Sequence, residues 1–227
     1  MSVASESTRP ELTARGRVSR DRLVSSAMTL MLEQGVSATS IDEVLDHAQA
    51  SKSQMYHYFS GKHELVDAVI TRARATVLHA QQPYLGAIDS FEALHRWADH
   101  VVALNVEFGS RLGCPLGTLA GELAAADEDC RADLDASFSA WTAMIRAGLD
   151  AMRSTGELAA TADIDRLATA VITSVQGGLL IAKTTRDSEP LRIALDAALA
   201  YVERFRPPAE PQTASSTPAK RKTRGRR

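Results

Sequence analysis

Residues 39–65, TSIDEVLDHAQASKSQMYHYFSGKHEL, contain two short segments with the apolar spacing of helices and a three-residue turn between them. The first segment opens at Thr39, the turn is residues 49–51, and the second runs from Lys52 to about Phe59. The apolar face of the first segment consists of Ile41, Val44, Leu45 and Ala48. Two short helices joined by a tight turn have the form of a helix-turn-helix, whose second helix enters the major groove of DNA.

The second helix of this pair has an apolar and a polar side. Met55, Tyr56 and Phe59 are predicted to point inward. The outer side suits DNA, because Gln and Ser can bond base edges, His and Tyr can bond phosphate, and Lys supplies charge. Its residues are Lys52, Ser53, Gln54, His57 and Tyr58. Any short amphipathic helix pair with one polar face shows a similar pattern. The pattern alone therefore leaves open both a DNA-binding helix pair and a helix pair without that function.

Helical periodicity continues on both sides of this stretch and predicts an all-α fold of about nine helices. Caps and breaking residues give the expected starts and ends of these helices. The predicted starts are Ser19 for the first helix, Lys62 for the fourth, Asp89 with Glu92 for the fifth, Pro115 for the sixth, Asp127 for the seventh and Pro190 for the ninth. The predicted ends are Gly35 for the first helix, the residues before Pro83 for the fourth and Gly156 for the seventh. The eighth helix contains Leu167 and Leu179.

The composition indicates a globular protein with tails at both ends. Of the 227 residues, 44% are hydrophobic, which is ample for a sizeable core. We predict a disordered tail at 1–18, a helix-turn-helix domain at 19–66, a larger helical domain at 67–206 and a disordered basic tail at 207–227. The basic tail either keeps the chain soluble or binds DNA without sequence preference.

Two features of the sequence bear on location. No apolar run reaches the roughly 18 residues of a membrane span, and the first residues lack the apolar segment of a secretory signal. We therefore expect a cytoplasmic protein with no membrane partner. The two cysteines, Cys114 and Cys130, are too few for a disulfide framework and lack the spacing of zinc ligands.

The two predicted helices resemble a known family signature. The runs TSIDEV at 39–44 and SKSQMYHYFSGKHEL at 51–65 closely resemble the DNA-binding signature of the TetR family of transcriptional regulators. The stretches GCPLG at 113–117 and QGGLLIAK at 176–183 resemble the ligand-binding half of its LmrA/YxaF-like subgroup. One departure is Gln49, where the family usually has a turn glycine, and a left-handed non-glycine residue costs roughly 1 kcal/mol.

The resemblance implies a homodimeric repressor that binds a palindromic operator on double-stranded DNA and is released by a small-molecule effector. It implies that Thr39 caps the second helix and touches phosphate, and that Tyr56 points inward. The expected DNA-binding residues are Thr39, Ser51, Lys52, Ser53, Gln54, His57, Tyr58 and Lys62. Neither an enzyme activity nor a cofactor or metal is expected.

The larger half is expected to hold the effector and the dimer interface. Its aromatic and amide residues at helical spacing belong either to an effector cavity or to the core. The expected cavity residues are Trp97, Asn105, Phe108, Trp141 and Gln176. The resemblance places the eighth and ninth helices in a four-helix bundle between subunits, with Gly177, Gly178, Ala182, Leu195 and Val202 as interface residues.

Several residues allow other interpretations. Glu92 and His95 have the spacing of a helical di-iron motif, but a second copy is missing from the sequence, so a solvated face is preferred. His95, Asp99 and His100 could form a metal or acid–base cluster, and surface or pocket polarity is the preferred interpretation. Cys114 at a helix start could sense oxidants or electrophiles, but a packing role in the turn is the preferred interpretation. A helical enzyme or an architectural DNA-binding protein are the alternative functional classes.

Overall fold

The computed structural model describes residues 12–111 and 113–208 of the chain. Within these ranges the chain forms nine α-helices, one short 3-10 turn at Leu85–Ala87 and no strand, which confirms the predicted fold class. The helices are α1 (Ala14–Gln34), α2 (Ile41–Ala48), α3 (Lys52–Tyr58), α4 (Lys62–Ala80), α5 (Phe91–Glu107), α6 (Pro115–Leu123), α7 (Glu128–Ser154), α8 (Ile164–Thr185) and α9 (Glu189–Glu203).

α1 begins earlier than the sequence predicts. Its N-cap is Thr13, whose hydroxyl accepts a hydrogen bond from the amide of Gly16 at 3.1 Å, whereas Ser19 lies inside the helix. The predicted boundary at residue 18 is therefore wrong. The first turn of α1 is polar and largely exposed, so it carries no apolar period that would reveal it. The remainders of the two predicted tails, residues 1–11 and 209–227, lie outside the described residues.

Two further helix starts differ from the prediction by one residue. Ser40 caps α2 and forms a reciprocal capping box with Glu43, so the prediction of Thr39 as the cap is wrong. Ser90 caps α5 in place of Asp89. In each pair both neighbours are good capping residues, and the sequence pattern does not decide between them.

The other predicted helix ends are confirmed. Gly35 ends α1 with a φ of 95°, and Gly156 follows α7 with a φ of 84°, a region that favours glycine. Lys62 opens α4, Asp127 caps α7, and Pro115 lies in the first turn of α6, where its missing amide proton is not needed.

One continuous apolar core joins the two parts of the described chain. We call α1–α3 with the first turns of α4 the head, and α5–α9 the body. α4 belongs to both, because it packs against α1 in the head and against α6 and α7 of the body. Its buried residues run along its length from Leu65 through Val69 and Ala73 to Val77.

α8 is long and apolar enough to cross a membrane by length and composition alone. In this fold it packs against α7 and α9 instead, with Leu167, Val171 and Val175 fully buried. Core packing therefore accounts for much of its apolar character.

Two glycines provide a test of the packing of the body. A Cβ on Gly148 of α7 would lie 2.6 Å from Ile88 Cβ and 3.0 Å from the Ile88 carbonyl oxygen, whereas a Cβ on Gly121 of α6 would meet nothing within 4 Å. We expect Gly148→Ala to destabilise the protein by about 1–3 kcal/mol through overpacking. Gly121→Ala should stabilise it by about 0.5–1 kcal/mol, because alanine favours the helix. Urea denaturation measures the free energy of unfolding of both variants. Equal effects of the two changes would contradict the close contact between Gly148 of α7 and Ile88.

Candidate functional site

α3 presents a polar face to solvent on the outside of the head. Met55 and Phe59, four residues apart, are both buried, with 0% and 1% exposure. Tyr56 is 57% exposed, so the prediction that it points inward is wrong. It follows Met55 by one residue and is therefore turned about 100° away from the core. The exposed residues of α3 are Lys52, Ser53, Gln54, Tyr56 and His57, and Tyr58 is half-buried.

The turn before α3 is fixed by hydrogen bonds of its own side chains. The Ser51 hydroxyl accepts from the Gln54 amide at 3.2 Å, and the Gln54 side-chain oxygen accepts from the Ser51 amide at 2.9 Å. Gln49 has a φ of 49°, so the position where the family usually has glycine is left-handed here too. Its side-chain nitrogen donates to the Asp46 carbonyl at 2.9 Å. The capping box occupies the Gln54 oxygen and leaves its NH₂ group as the outward donor.

Three more of the predicted DNA-binding residues have partners inside the head. The Lys52 ammonium lies 3.0 Å from an Asp42 carboxylate oxygen, and this hydrogen-bonded pair raises the pKa of Lys52. The Lys62 ammonium donates to the Val36 carbonyl at 2.7 Å. Thr39 is 1% exposed, and its hydroxyl donates to a backbone carbonyl. Thr39 therefore supports the head from within, and its predicted contact with phosphate is wrong.

The start of α1 adds basic residues that the sequence analysis missed. A groove of about 320 Å³ lies between α1 and α3, with Arg15 on one side and Gln54 and His57 on the other. Arg20 lies over the Phe59 ring at 5.0 Å, and Arg22 donates to the Gln49 carbonyl at 3.4 Å. The available signal is the close spacing of arginines after Thr13, but this stretch lacks an apolar period, so the sequence predicts a tail up to residue 18 and no role for Arg20 or Arg22.

An apolar cavity of about 260 Å³ lies among α4, α5, α6 and α7, and α1 and α8 add Met28, Leu32 and Leu179 to its lining. Three of the residues predicted to surround the effector line it, namely Asn105, Phe108 and Trp141. The Asn105 side-chain oxygen accepts from the Ser110 hydroxyl at 2.9 Å. The Asn105 Nδ2 and the Trp141 Nε1 are buried, and neither donor has a partner in the described part of the chain.

The other two predicted cavity residues lie elsewhere. Trp97 is fully buried behind the cavity wall, and its Nε1 donates to the Gln81 side-chain oxygen at 3.0 Å. Gln176 lines a separate groove of about 580 Å³ between α6 and α8. Neither residue lines the apolar cavity, because helical spacing does not show which of two adjacent spaces a side chain enters.

His95, Asp99 and His100 do not form a cluster. His95 pairs with Glu203 at 2.9 Å, and Asp99 pairs with Arg192 at 2.6 Å. His100 bonds the Ala80 carbonyl at 2.8 Å. Each group is engaged by a different neighbour, so the spacing on α5 does not produce a shared site.

Cys114 caps α6 and lines the cavity as a buried side chain. Burial raises the pKa of its thiol. A buried thiol with a raised pKa is a packing group and lacks the thiolate character of a sensor.

Comparison with known proteins matches both halves of the chain. Residues 23–69 match the model of bacterial regulatory proteins of the tetR family, and residues 90–197 match that of the LmrA/YxaF-like transcriptional regulator C-terminal domain. An uncharacterized HTH-type transcriptional regulator from the lacX 3′ region of Lactococcus lactis subsp. lactis is 31% identical over 182 residues, which cover 79% of this chain and 91% of that protein. The chain belongs to the TetR family of transcriptional regulators.

Two further comparisons agree with this membership. The uncharacterized HTH-type transcriptional regulator YxaF of Bacillus subtilis is 28% identical over 79% of this chain and 92% of its own length. The crystal structure of regulatory protein TetR from Rhodobacter sphaeroides superimposes with a TM-score of 0.72 and 25% identity, covering 81% of this chain and 98% of that one. The TetR family consists of DNA-binding regulators, and not of enzymes.

TetR-family regulators act as dimers, and the structure corrects the residues predicted for the interface. Gly178, Ala182, Leu195 and Val202 are buried within the single subunit, and a Cβ on Gly178 of α8 would lie 2.9 Å from Leu191 Cα of α9. They are therefore unavailable to a partner. Apolar periodicity reveals a packed face but not whether its partner is in the same chain.

The opposite side of these two helices carries exposed apolar residues. Leu180, Ile181 and Ile193 are 63%, 49% and 59% exposed, and Gly177 opens onto free space. Large apolar side chains grouped in this way are typical of interfaces.

A charge placed on this face tests whether it holds the dimer together. We expect Leu180→Asp to give monomers in sedimentation velocity, because the carboxylate would be buried unpaired between subunits. The matched control is Val106→Asp, since Val106 on α5 is similarly exposed at 56%. The control should stay dimeric, and a dimeric Leu180→Asp protein would place the interface elsewhere.

Proposed function

We propose that this TetR-family protein is a cytoplasmic homodimeric repressor, released from a palindromic operator by a small-molecule effector. The observation that carries the proposal is the continuity of α4. This helix begins at Lys62 beside α3 and ends at the cavity, where Thr76, Val77 and Ala80 contribute to the lining. A ligand in the cavity therefore touches the same rigid element that supports the recognition helix.

The exposed face of α3 supports a division of contacts with DNA. Lys52, Ser53, Gln54 and His57 face base edges, with the free NH₂ group of Gln54 as a donor to base acceptors. Tyr58 and Lys62, together with Arg15 on α1, bind the phosphate backbone. The Lys52–Asp42 pair is exposed on both sides, at 68% and 69%, so its exchange for a phosphate contact costs little.

A second link between cavity and head runs through the loop after α1. The Glu122 carboxylate on α6 accepts from the Val36 amide at 2.8 Å, and the Lys62 ammonium donates to the Val36 carbonyl. We call these three residues the Val36 junction. The N-terminal end of α6, Cys114 and Pro115, lines the cavity. A ligand that displaces α6 therefore also moves the loop that orients α2 and α3.

The lining of the cavity favours a largely apolar effector that carries a hydrogen-bond acceptor. Most of the lining is aliphatic or aromatic, whereas Asn105 and Trp141 each hold a buried donor that has no partner among the described residues. Buried donors are normally satisfied, so an acceptor on the ligand would gain both bonds. A volume of about 260 Å³ limits this ligand to a small molecule.

Release from the operator is explained by a difference in effector affinity between two conformations of the dimer. An effector lowers operator affinity when it binds better to a conformation in which the two heads no longer match the half-sites. Both the α4 path and the Val36 junction allow such a conformation without unfolding of the head.

Selection of bound fragments from a random DNA pool tests this function. Because a twofold dimer presents two α3 helices, we expect an inverted repeat with half-sites about 34–36 Å apart or slightly wider. Gln54→Glu keeps the acceptor of the capping box but removes the NH₂ donors, so the repeat should persist with altered bases. The matched control, Gln82→Glu, makes the same change outside the head and should select the wild-type sequence. A single half-site or a direct repeat would contradict the proposal.

A further inference from the structure

A histidine, a cysteine and a group of aspartates meet where the head joins the body. His63 lies in the first turn of α4, Asp127 caps α7, and Cys130 lies in the first turn of α7. The ligand-type atoms of these three side chains all lie within 4.8 Å of one another. Neither the DNA contacts nor the effector cavity uses them.

The distance between His63 and Asp127 suits two ligands of one tetrahedral metal ion. His63 Nδ1 lies 3.3 Å from Asp127 Oδ2. Two ligands at about 2.0–2.1 Å from a tetrahedral ion are themselves about 3.3 Å apart. The other oxygen of Asp127 accepts from the Cys130 amide at 2.9 Å, and this bond holds the carboxylate in place.

The second nitrogen of His63 also faces carboxylates. His63 Nε2 lies 4.0 Å from Asp67 Oδ1 and 4.0 Å from Asp129 Oδ2. Metal-binding histidines usually donate their other ring N–H to a carboxylate, which fixes the tautomer. Asp67 Oδ1 is buried without a hydrogen-bond partner in the described residues, and a small side-chain rotation would bring it within reach of that N–H.

The charges around the junction are unbalanced. Asp67, Asp127, Asp129 and Asp133 lie close enough there to act on one another, and His63 lies among them. A bound cation would offset this excess of carboxylates.

We propose that His63 Nδ1, Asp127 Oδ2 and Cys130 Sγ bind a divalent transition-metal ion of the zinc class, with Asp67 supporting His63. This set of nitrogen, oxygen and sulfur ligands suits Zn²⁺ or Co²⁺ and leaves the fourth position to water or a carboxylate. On binding, the thiol S–H bond breaks, the metal–sulfur bond forms and the proton leaves to water, with no change of oxidation state. The ion enters from solvent past His63, which is 53% exposed.

Such an ion would be a second ligand, besides the effector, that affects the position of the head. It would join the first turn of α4 to the start of α7, and α4 follows the recognition helix within four residues of chain, as α3 ends at Tyr58 and α4 begins at Lys62. Metal occupancy would therefore restrain the same element that the effector moves. The binding site itself does not depend on the proposed repressor function, because it is measured without DNA.

Titration of the chelator-treated full chain with Co²⁺ tests the proposal. We expect one ion per subunit and a thiolate-to-cobalt charge-transfer band in the near ultraviolet, which Zn²⁺ then abolishes by displacement. Cys130→Ser should remove the band and weaken binding by at least about tenfold, since even outer partners of a metal ligand contribute 10–100-fold. The matched control, Cys114→Ser, should retain both band and affinity.

Asp127→Asn provides a second variant in case a thermal melt shows that Cys130→Ser is not folded. It keeps an acceptor for the Cys130 amide but loses a ligand charge, so binding should again fall at least about tenfold. Binding of Co²⁺ without the charge-transfer band, equal affinities of the Cys130 and Cys114 variants, or no binding at all would overturn the proposal.

Discussion

The peptide group of Val36 is held from two directions, and the position of the head depends on it. Glu122 of the body accepts from its amide at 2.8 Å, and Lys62 at the start of α4 donates to its carbonyl at 2.7 Å. The preceding Gly35 makes this approach possible. With a φ of 95° it turns the chain, and a Cβ there would lie only 3.2 Å from a Glu122 oxygen.

The proposed release by an effector requires a coupling that this junction is able to supply. A five- to 150-fold loss of operator affinity corresponds to a coupling of about 1–3 kcal/mol. A hydrogen bond to a charged group contributes about 1.5–3 kcal/mol, and solvent screening of the exposed Glu122 places it toward the lower end. One such bond, made in one conformation and lost in another, is therefore sufficient. The shared core along α4 adds a second path, because the head packs directly against this helix.

The sequence predicts the helices and the exposed polar face of α3 well because both depend on local patterns. The apolar period predicts each of the nine helices found between residues 12 and 208, and the signature around α3 identifies most of its exposed polar face. The errors share a cause. Thr39 and Ser40 are equally good caps, Tyr56 sits at the edge of an apolar stripe, and Gly178 has the period of a packed face whether its partner is α9 or another subunit. Tertiary contacts decide each case, and a single sequence does not contain them. For the same reason the sequence does not predict that His63 and Cys130, which are far apart in the chain, lie close together in the fold.

Coupling between cavity and operator through the Val36 junction is the central claim, and calorimetry of a ligand that releases the wild-type protein from its operator tests it most directly. By linkage, saturating operator must weaken binding of that ligand by the factor with which the ligand weakens operator binding. We expect this reciprocal factor in the wild type and in Glu122→Gln, which keeps an acceptor for the Val36 amide. In Glu122→Ala the ligand should bind while the factor falls to the smaller value that the α4 path alone transmits. An unchanged factor in Glu122→Ala would contradict the account.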